Sequence, residues 1–157
     1  MPHTPSLTTI LSQHRENTDQ NHLHLAEMLN RIATSCRINA PSARQCANCP
    51  SDAREACQNT LIEVAMEFMT FLIDHQRCED ELMTQLPRTR HTEAHCTSHR
   101  EAHFEFCTRY NKTILHFHAR AQSENIHTLE ILITDWIRQH AIDFDNRFSQ
   151  LIEETHV

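Results

Sequence analysis

Apolar positions along the chain fall into four stretches with a helical period. From about Thr18 to Cys36, His22, Leu25, Leu29 and Ile32 share one face at steps of three and four, with Thr18 or Asp19 as the expected N-cap. From about Asp52 to Gln85 the stripe is Leu61, Ala65, Phe68, Leu72, His75, Glu79 and Leu82, and Pro87 stops it. A third stretch, about Thr92 to Gln122, carries His95, His99, His103, Phe106, Tyr110 and Ile114 in register. The fourth, about Asn125 to Glu154, has Leu129, Ile133, Trp136 and His140 on its inner face, continued by Phe144, Phe148 and Leu151. Four amphipathic helices joined by short polar links predict an all-α fold, packed most simply as an up-down-up-down four-helix bundle. Residues 1–16 read as an N-terminal arm and residues 39–57 as a Cys-rich insertion between the first two helices, all within a single domain of residues 1–157.

Composition agrees with that pattern. The chain of 157 residues has no Gly and only 5 Pro, which disfavours sheets built on tight hairpins. The formal charge is -7 and the Lys and Arg residues form no stripe, so neither a nucleic-acid partner nor an anionic membrane surface is expected. No apolar run is long enough to span a bilayer, and residues 1–12 lack the basic and apolar regions of a signal peptide. A cytoplasmic location is expected, with the 7 Cys mostly reduced.

The 14 His change the picture more than anything else in the composition. They are spread along the chain rather than gathered in one tract, and several interrupt the apolar stripes. His22 lies on the first helix, His75 and Glu79 form H-x-x-x-E on the second, His99 and His103 form H-x-x-x-H on the third, and His140 and Asp145 form H-x-x-x-x-D on the fourth. An i, i+4 pair puts both side chains on one face, one turn apart. Polar groups on inward faces must be satisfied, and imidazoles with carboxylates at one depth of a bundle suit a first-row ion such as iron. Asp145 fits least simply. Five residues turn an ideal helix about 140° beyond a full turn, so the helix must distort or the carboxylate must lean across. His3, His14, His24, His116, His118 and His127 read as surface histidines.

Four segments in order resemble the hemerythrin and bacteriohemerythrin family. They are D-Q-N-H-L-H-L-A-E-M-L-N from Asp19 to Asn30, H-Q-R-C-E-D-E-L-M from His75 to Met83, H-R-E-A-H-F-E-F from His99 to Phe106, and W-I-R-Q-H-A-I-D-F-D from Trp136 to Asp145. Together they span about Asp19 to Leu151. The family's Trp-containing lead-in is missing, the Cys-rich link is extra, and the stretch from Met83 to His99 is longer than usual. His91, His95, His99 and His103 all repeat at four, so His95 with His99 competes with His99 with His103; the latter pair puts Phe106 in the family's place. The resemblance implies two iron ions in an oxo- or hydroxo-bridged centre. His99, His103 and His140 would hold one ion, His22 and His75 the other, and Glu79 and Asp145 would bridge them. It further implies dioxygen bound at the open iron, with Leu25, Phe71, Phe106 and Ile137 as candidates for the apolar wall.

No titratable residue is left over as an acid or base for turnover, so an oxygen-sensing or oxygen-carrying protein is expected rather than an enzyme. A signalling output domain or a second copy of the chain is the partner such proteins suggest. One alternative is a di-iron enzyme acting on nitric oxide or peroxide. Another is a zinc or thiol redox regulator that uses Cys46-x-x-Cys49 and Cys57, with Cys36 as a fourth thiol, as a second metal or redox site. Cys78 and Cys96 read as packing residues.

Overall fold

The computed structural model describes residues 7–36, 46–117 and 122–154, with backbone alone for 7–15, 17–19 and 141–142. Among these residues every regular element is a helix and there is no strand. Helix α1 spans Leu7–Thr34, α2 Ser51–Met83, α3 Arg90–Ile114 and α4 Gln122–Gln139; α4 runs through a π-helical segment, His140–Asp145, into α5, Asn146–Glu154. Four rods result, the fourth being α4, the π segment and α5 in line. α1 packs on α2, α4 and α5, and α2 packs on α3 and α4.

The rod boundaries follow from local chemistry. Pro50 occupies the N-cap of α2, where its missing N–H costs nothing, and Asp52 sits in the first turn against the positive end of the helix dipole. Between α2 and α3, Thr89 accepts from Thr92 N–H while the Thr92 hydroxyl accepts from Thr89 N–H, a capping box with Thr in the place usually held by Glu. That box starts α3 at Arg90, two residues before the expected start. Asn125, fully buried, donates to the Phe117 carbonyl at 2.9 Å and so ties the start of α4 to the end of α3.

Two expectations change. α1 begins at Leu7, not near Thr18, so residues 7–16 are helical rather than a loose arm. The backbone ladder continues through a stretch whose polar side chains gave no periodic signal, and Thr18 and Asp19 lie inside the helix rather than at its cap. Cys57, placed by the sequence at the end of the insertion, lies inside α2. Residues 37–45 of the insertion and residues 1–6 of the arm, with His3 and His118, lie outside the described residues.

The apolar core is in two pieces. The larger gathers Leu25, Met28 and Ile32 from α1, Leu61, Phe68 and Leu72 from α2, Phe106 and Tyr110 from α3, and Leu129, Ile133 and Trp136 from α4. The smaller joins Leu82, Met83, Leu86, Cys96, Phe148 and Ile152. Along every contributing helix except α1, the gap between the two is filled by buried polar residues: His75 and Glu79 between Leu72 and Leu82, His99 and His103 between Cys96 and Phe106, His140 and Asp145 between Trp136 and Phe148. No helix is long and apolar enough to cross a membrane.

Candidate metal centre

This polar layer is a convergence of six side chains from three rods. Glu79 Oε2 lies 3.0 Å from His75 Nε2, 3.1 Å from His99 Nε2, 3.2 Å from His103 Nε2 and 3.1 Å from His140 Nε2. His140 Nε2 in turn lies 2.9 Å from His75 Nε2, 3.2 Å from those of His99 and His103, and 3.1 Å from Asp145 Oδ1. All six residues are buried, His99 completely.

Hydrogen bonds alone cannot account for this geometry. An imidazole nitrogen has one in-plane position, filled by either a hydrogen or a lone pair. His140 Nε2 has five polar neighbours at 2.9–3.2 Å and can hydrogen-bond to only one of them. The spacing has another natural source: ligand atoms bound at about 2.1 Å to one ion, at right angles to each other, stand about 3.0 Å apart. Two overlapping sets have ligand atoms close enough to hold an ion, His75, Glu79, His103 and His140, and Glu79, His99, His140 and Asp145. Nitrogen with carboxylate oxygen is a donor set for borderline divalent ions of the first transition row.

Local structure explains the aim of each group. The i, i+4 pairs His75/Glu79 and His99/His103 stack along one helix face. His140 and Asp145, five apart, are joined by the π segment, whose i→i+5 pattern brings residues five apart to adjacent turns. The distortion demanded by the sequence spacing is thus met by the backbone, and it is confined to the residues that carry the site. Aromatic rings jacket the imidazoles. Phe71 stacks on His75 at 5.8 Å, Trp136 on His140 at 4.6 Å and Phe144 on His99 at 4.9 Å between centroids. Of the expected wall residues, Leu25, Phe71 and Phe106 are buried in the larger core and Ile137 packs against it.

Electrostatics separates neighbouring histidines. Burial pushes the pKa of His103 down to about 4, against the opposing pull of Glu79, so its ring is neutral at neutral pH and keeps a lone pair on one nitrogen. His140 is subject to the same burial, but the Asp145 and Glu79 carboxylates beside it outweigh that and raise it to about 9. His95 is depressed to about 4, by burial first and then by His99 and Arg147.

Of the residues named from sequence, His75, Glu79, His99, His103, His140 and Asp145 stand together; His22 does not. Its side chain is exposed on α1. The buried stripe of α1 is Leu25, Met28 and Ile32, with Leu29 only partly buried, and this stripe faces Asn21 inward instead. Asn21 was missed: its amide lies 2.9 Å from His75 Nδ1. A sequence signal existed, since Asn21, Leu25, Met28 and Ile32 step by four, three and four as well as the stripe through His22 does. His95 stays a turn away from the centre, stacked on Phe148 at 6.0 Å between centroids, with its Nε2 buried and lacking a hydrogen-bond partner among the described residues. Between α1 and α2 a cleft of about 480 Å³ leads to His75 and Glu79 past Asn21, His24, Glu67 and Asp74. Compared with family models, curated proteins and solved structures, the chain matches none.

Proposed function

We propose that this chain is a hemerythrin-like, up-down-up-down four-helix bundle that holds a non-haem di-iron centre and binds dioxygen reversibly, as a sensor or carrier rather than an enzyme. The observation that carries this reading is the single buried layer in which Glu79 Oε2 and His140 Nε2 each stand within 3.2 Å of the nitrogens of His75, His99 and His103, with Asp145 Oδ1 3.1 Å from His140, in a chain whose four motifs resemble that family in order. The donor set fits iron: His75, Glu79, His103 and His140 make one group of ligand atoms and Glu79, His99, His140 and Asp145 the other, with Glu79 and His140 common to both; on the family's pattern His99, His103 and His140 would hold one ion and His75 the other, with Glu79 and Asp145 between them. Ferrous iron, if held there, would supply the electrons needed to bind dioxygen.

The remaining work falls to the protein's own groups. The depressed pKa of His103 leaves its nitrogen free to ligate at neutral pH, and His140 must give up a proton on loading. Phe71, Trp136 and Phe144 hold the rings in orientation and limit water around them. Asn21 fixes the ring of His75 from the other nitrogen. If Nε2 held an ion, Nδ1 would carry the hydrogen and the Asn21 amide, whose nitrogen lies 2.9 Å from Nδ1 here, would present its oxygen to accept it. The cleft between α1 and α2 is the path by which a small molecule reaches His75 and Glu79.

The test is an iron count with optical spectra of the purified protein under nitrogen and in air. Two irons per chain, a near-ultraviolet band of the oxidised centre and a visible band that comes and goes with oxygen are expected. Iron-free protein, or continuous oxygen consumption with a reductant, would overturn the reading; the second outcome would favour the enzyme alternative.

A further inference from the structure

The six side chains of the polar layer are all buried, but they are not equally remote from water. The cleft of about 480 Å³ between α1 and α2 has His75 and Glu79 in its lining and, among the described residues, none of His99, His103, His140 or Asp145. Gln20, Asn21 and His24 of α1 and Glu67, Thr70 and Asp74 of α2 make its walls polar. Cys78, half-buried and lying between His75 and Glu79 in the chain, lines it as well. An ion with a shell of six waters needs roughly 200 Å³ at about 30 Å³ per water, so a hydrated ion fits the cleft. On the other side of the layer, aromatic rings cover the ligands. His99 is fully buried, with Phe144 at 4.9 Å, His95 at 5.3 Å and Phe148 at 6.4 Å between ring centroids. The two overlapping ligand groups divide in the same way: His75 belongs only to the first, and His99 and Asp145 only to the second.

We infer, building on the two-ion reading of this layer, that its two positions differ in access: the outer one, at His75, exchanges ions through the α1–α2 cleft, and the inner one, at His99, exchanges only once the outer one is open. Each donor that leaves an ion must be replaced by a water or an incoming ligand. The cleft brings water to His75 and Glu79, whereas His99 meets rings. Glu79 and His140 belong to both ligand groups, so an outer ion stands across the inner ion's way out. The division does not depend on how the remaining ligands are shared, because His75 and His99 fall on different ions in either arrangement. Cys78 sets the width of the passage beside both outer ligands. Loading then runs inner ion first, and the centre can keep that ion, with the folding free energy it adds, while the outer one is exchanged for a different metal.

The test follows iron leaving the full chain into a chromogenic chelator under nitrogen, after the iron bound at the start has been counted. Wild type is expected to lose one iron in a fast phase and one in a slow phase. Protein recovered between the phases should hold one iron and take up one manganese. Cys78→Phe, which fills the passage, is expected to lose the fast phase, both irons leaving slowly, whereas Cys78→Ala keeps it; far-ultraviolet circular dichroism checks that each variant is folded. The wild-type measurement does not depend on any variant folding. Two irons that leave wild type together in a single phase, or a fast phase unchanged in folded Cys78→Phe, would overturn the inference and leave the two-ion reading standing. Wild type that binds no iron would overturn both.

Discussion

Glu79→Gln is the sharpest perturbation of the polar layer, because one carboxylate oxygen stands 3.0–3.2 Å from four imidazole nitrogens and the substitution keeps its shape while removing its charge. With free ferrous ion at 100 times its Kd, binding adds about 2.7 kcal/mol to the folded state. In a chain of this size that raises Tm by roughly 5–11 °C. Losing an outer partner of a ligand weakens a metal site about 10- to 100-fold, so losing a group that touches the ion weakens it by about 100-fold or more. At the same ferrous concentration the gain then falls to about 0.4 kcal/mol, roughly 1–2 °C. The assay is thermal unfolding under nitrogen, followed by far-ultraviolet circular dichroism, for both proteins with iron and with chelator. The chelated samples isolate any change in the fold itself. An equal iron-dependent rise in both proteins would refute the assignment of Glu79 to the ion.

Other expectations are open to direct measurement. His22→Ala should leave the iron count unchanged, because that side chain is exposed; a halved count would mean that α1 turns His22 inward on loading. Asn21→Leu should lower iron affinity about 10- to 100-fold by freeing the His75 ring, read by competition with a chromogenic chelator, and an unchanged affinity would remove Asn21 from the site. In the metal-free protein, His140 at about 9 adds stability that is complete below its ordinary value of 6.5 and is lost as pH rises through 9. His103 and His95 at about 4 act in the opposite window, since the unfolded chain binds more protons there, and stability is lost on acidification from 6.5 towards 4. Tm in chelator should therefore peak near pH 6.5; a steady rise from pH 4 to 9 would contradict these environments. Phe68→Ala should cost about 3–5 kcal/mol in urea unfolding, because this fully buried ring meets Phe71, Phe106, Tyr110 and Trp136, and a cost under about 1 kcal/mol would contradict the core described.

Where the sequence read well, a strong period or a strong stop was present. α2 was legible because its apolar stripe runs unbroken into His75 and Glu79 and ends near Pro87, and the paired spacing of His99 and His103 put both on the face that meets Glu79. The run of four histidines at four-residue steps left the register of α3 open, since period alone cannot tell which members reach one depth. The structure brings His103 to Glu79 and leaves His95 on Phe148. The five-residue gap from His140 to Asp145 announced a distortion but not its kind, which proved to be a π segment. α1 read worst: two stripes one residue apart, through His22 with Leu29 or through Asn21 with Met28, are nearly equal in apolar content, and only packing against α2 and α4 chooses between them.

Crystals of the protein loaded with ferrous iron under nitrogen and measured at the iron absorption edge put the central claim to its most direct test. The account predicts anomalous density among His75, Glu79, His99, His103, His140 and Asp145, resolved as two neighbouring ions sharing the two carboxylates. A single well-ordered bundle with no anomalous peak in that layer, its histidines and acids joined only to water or to each other, would contradict it.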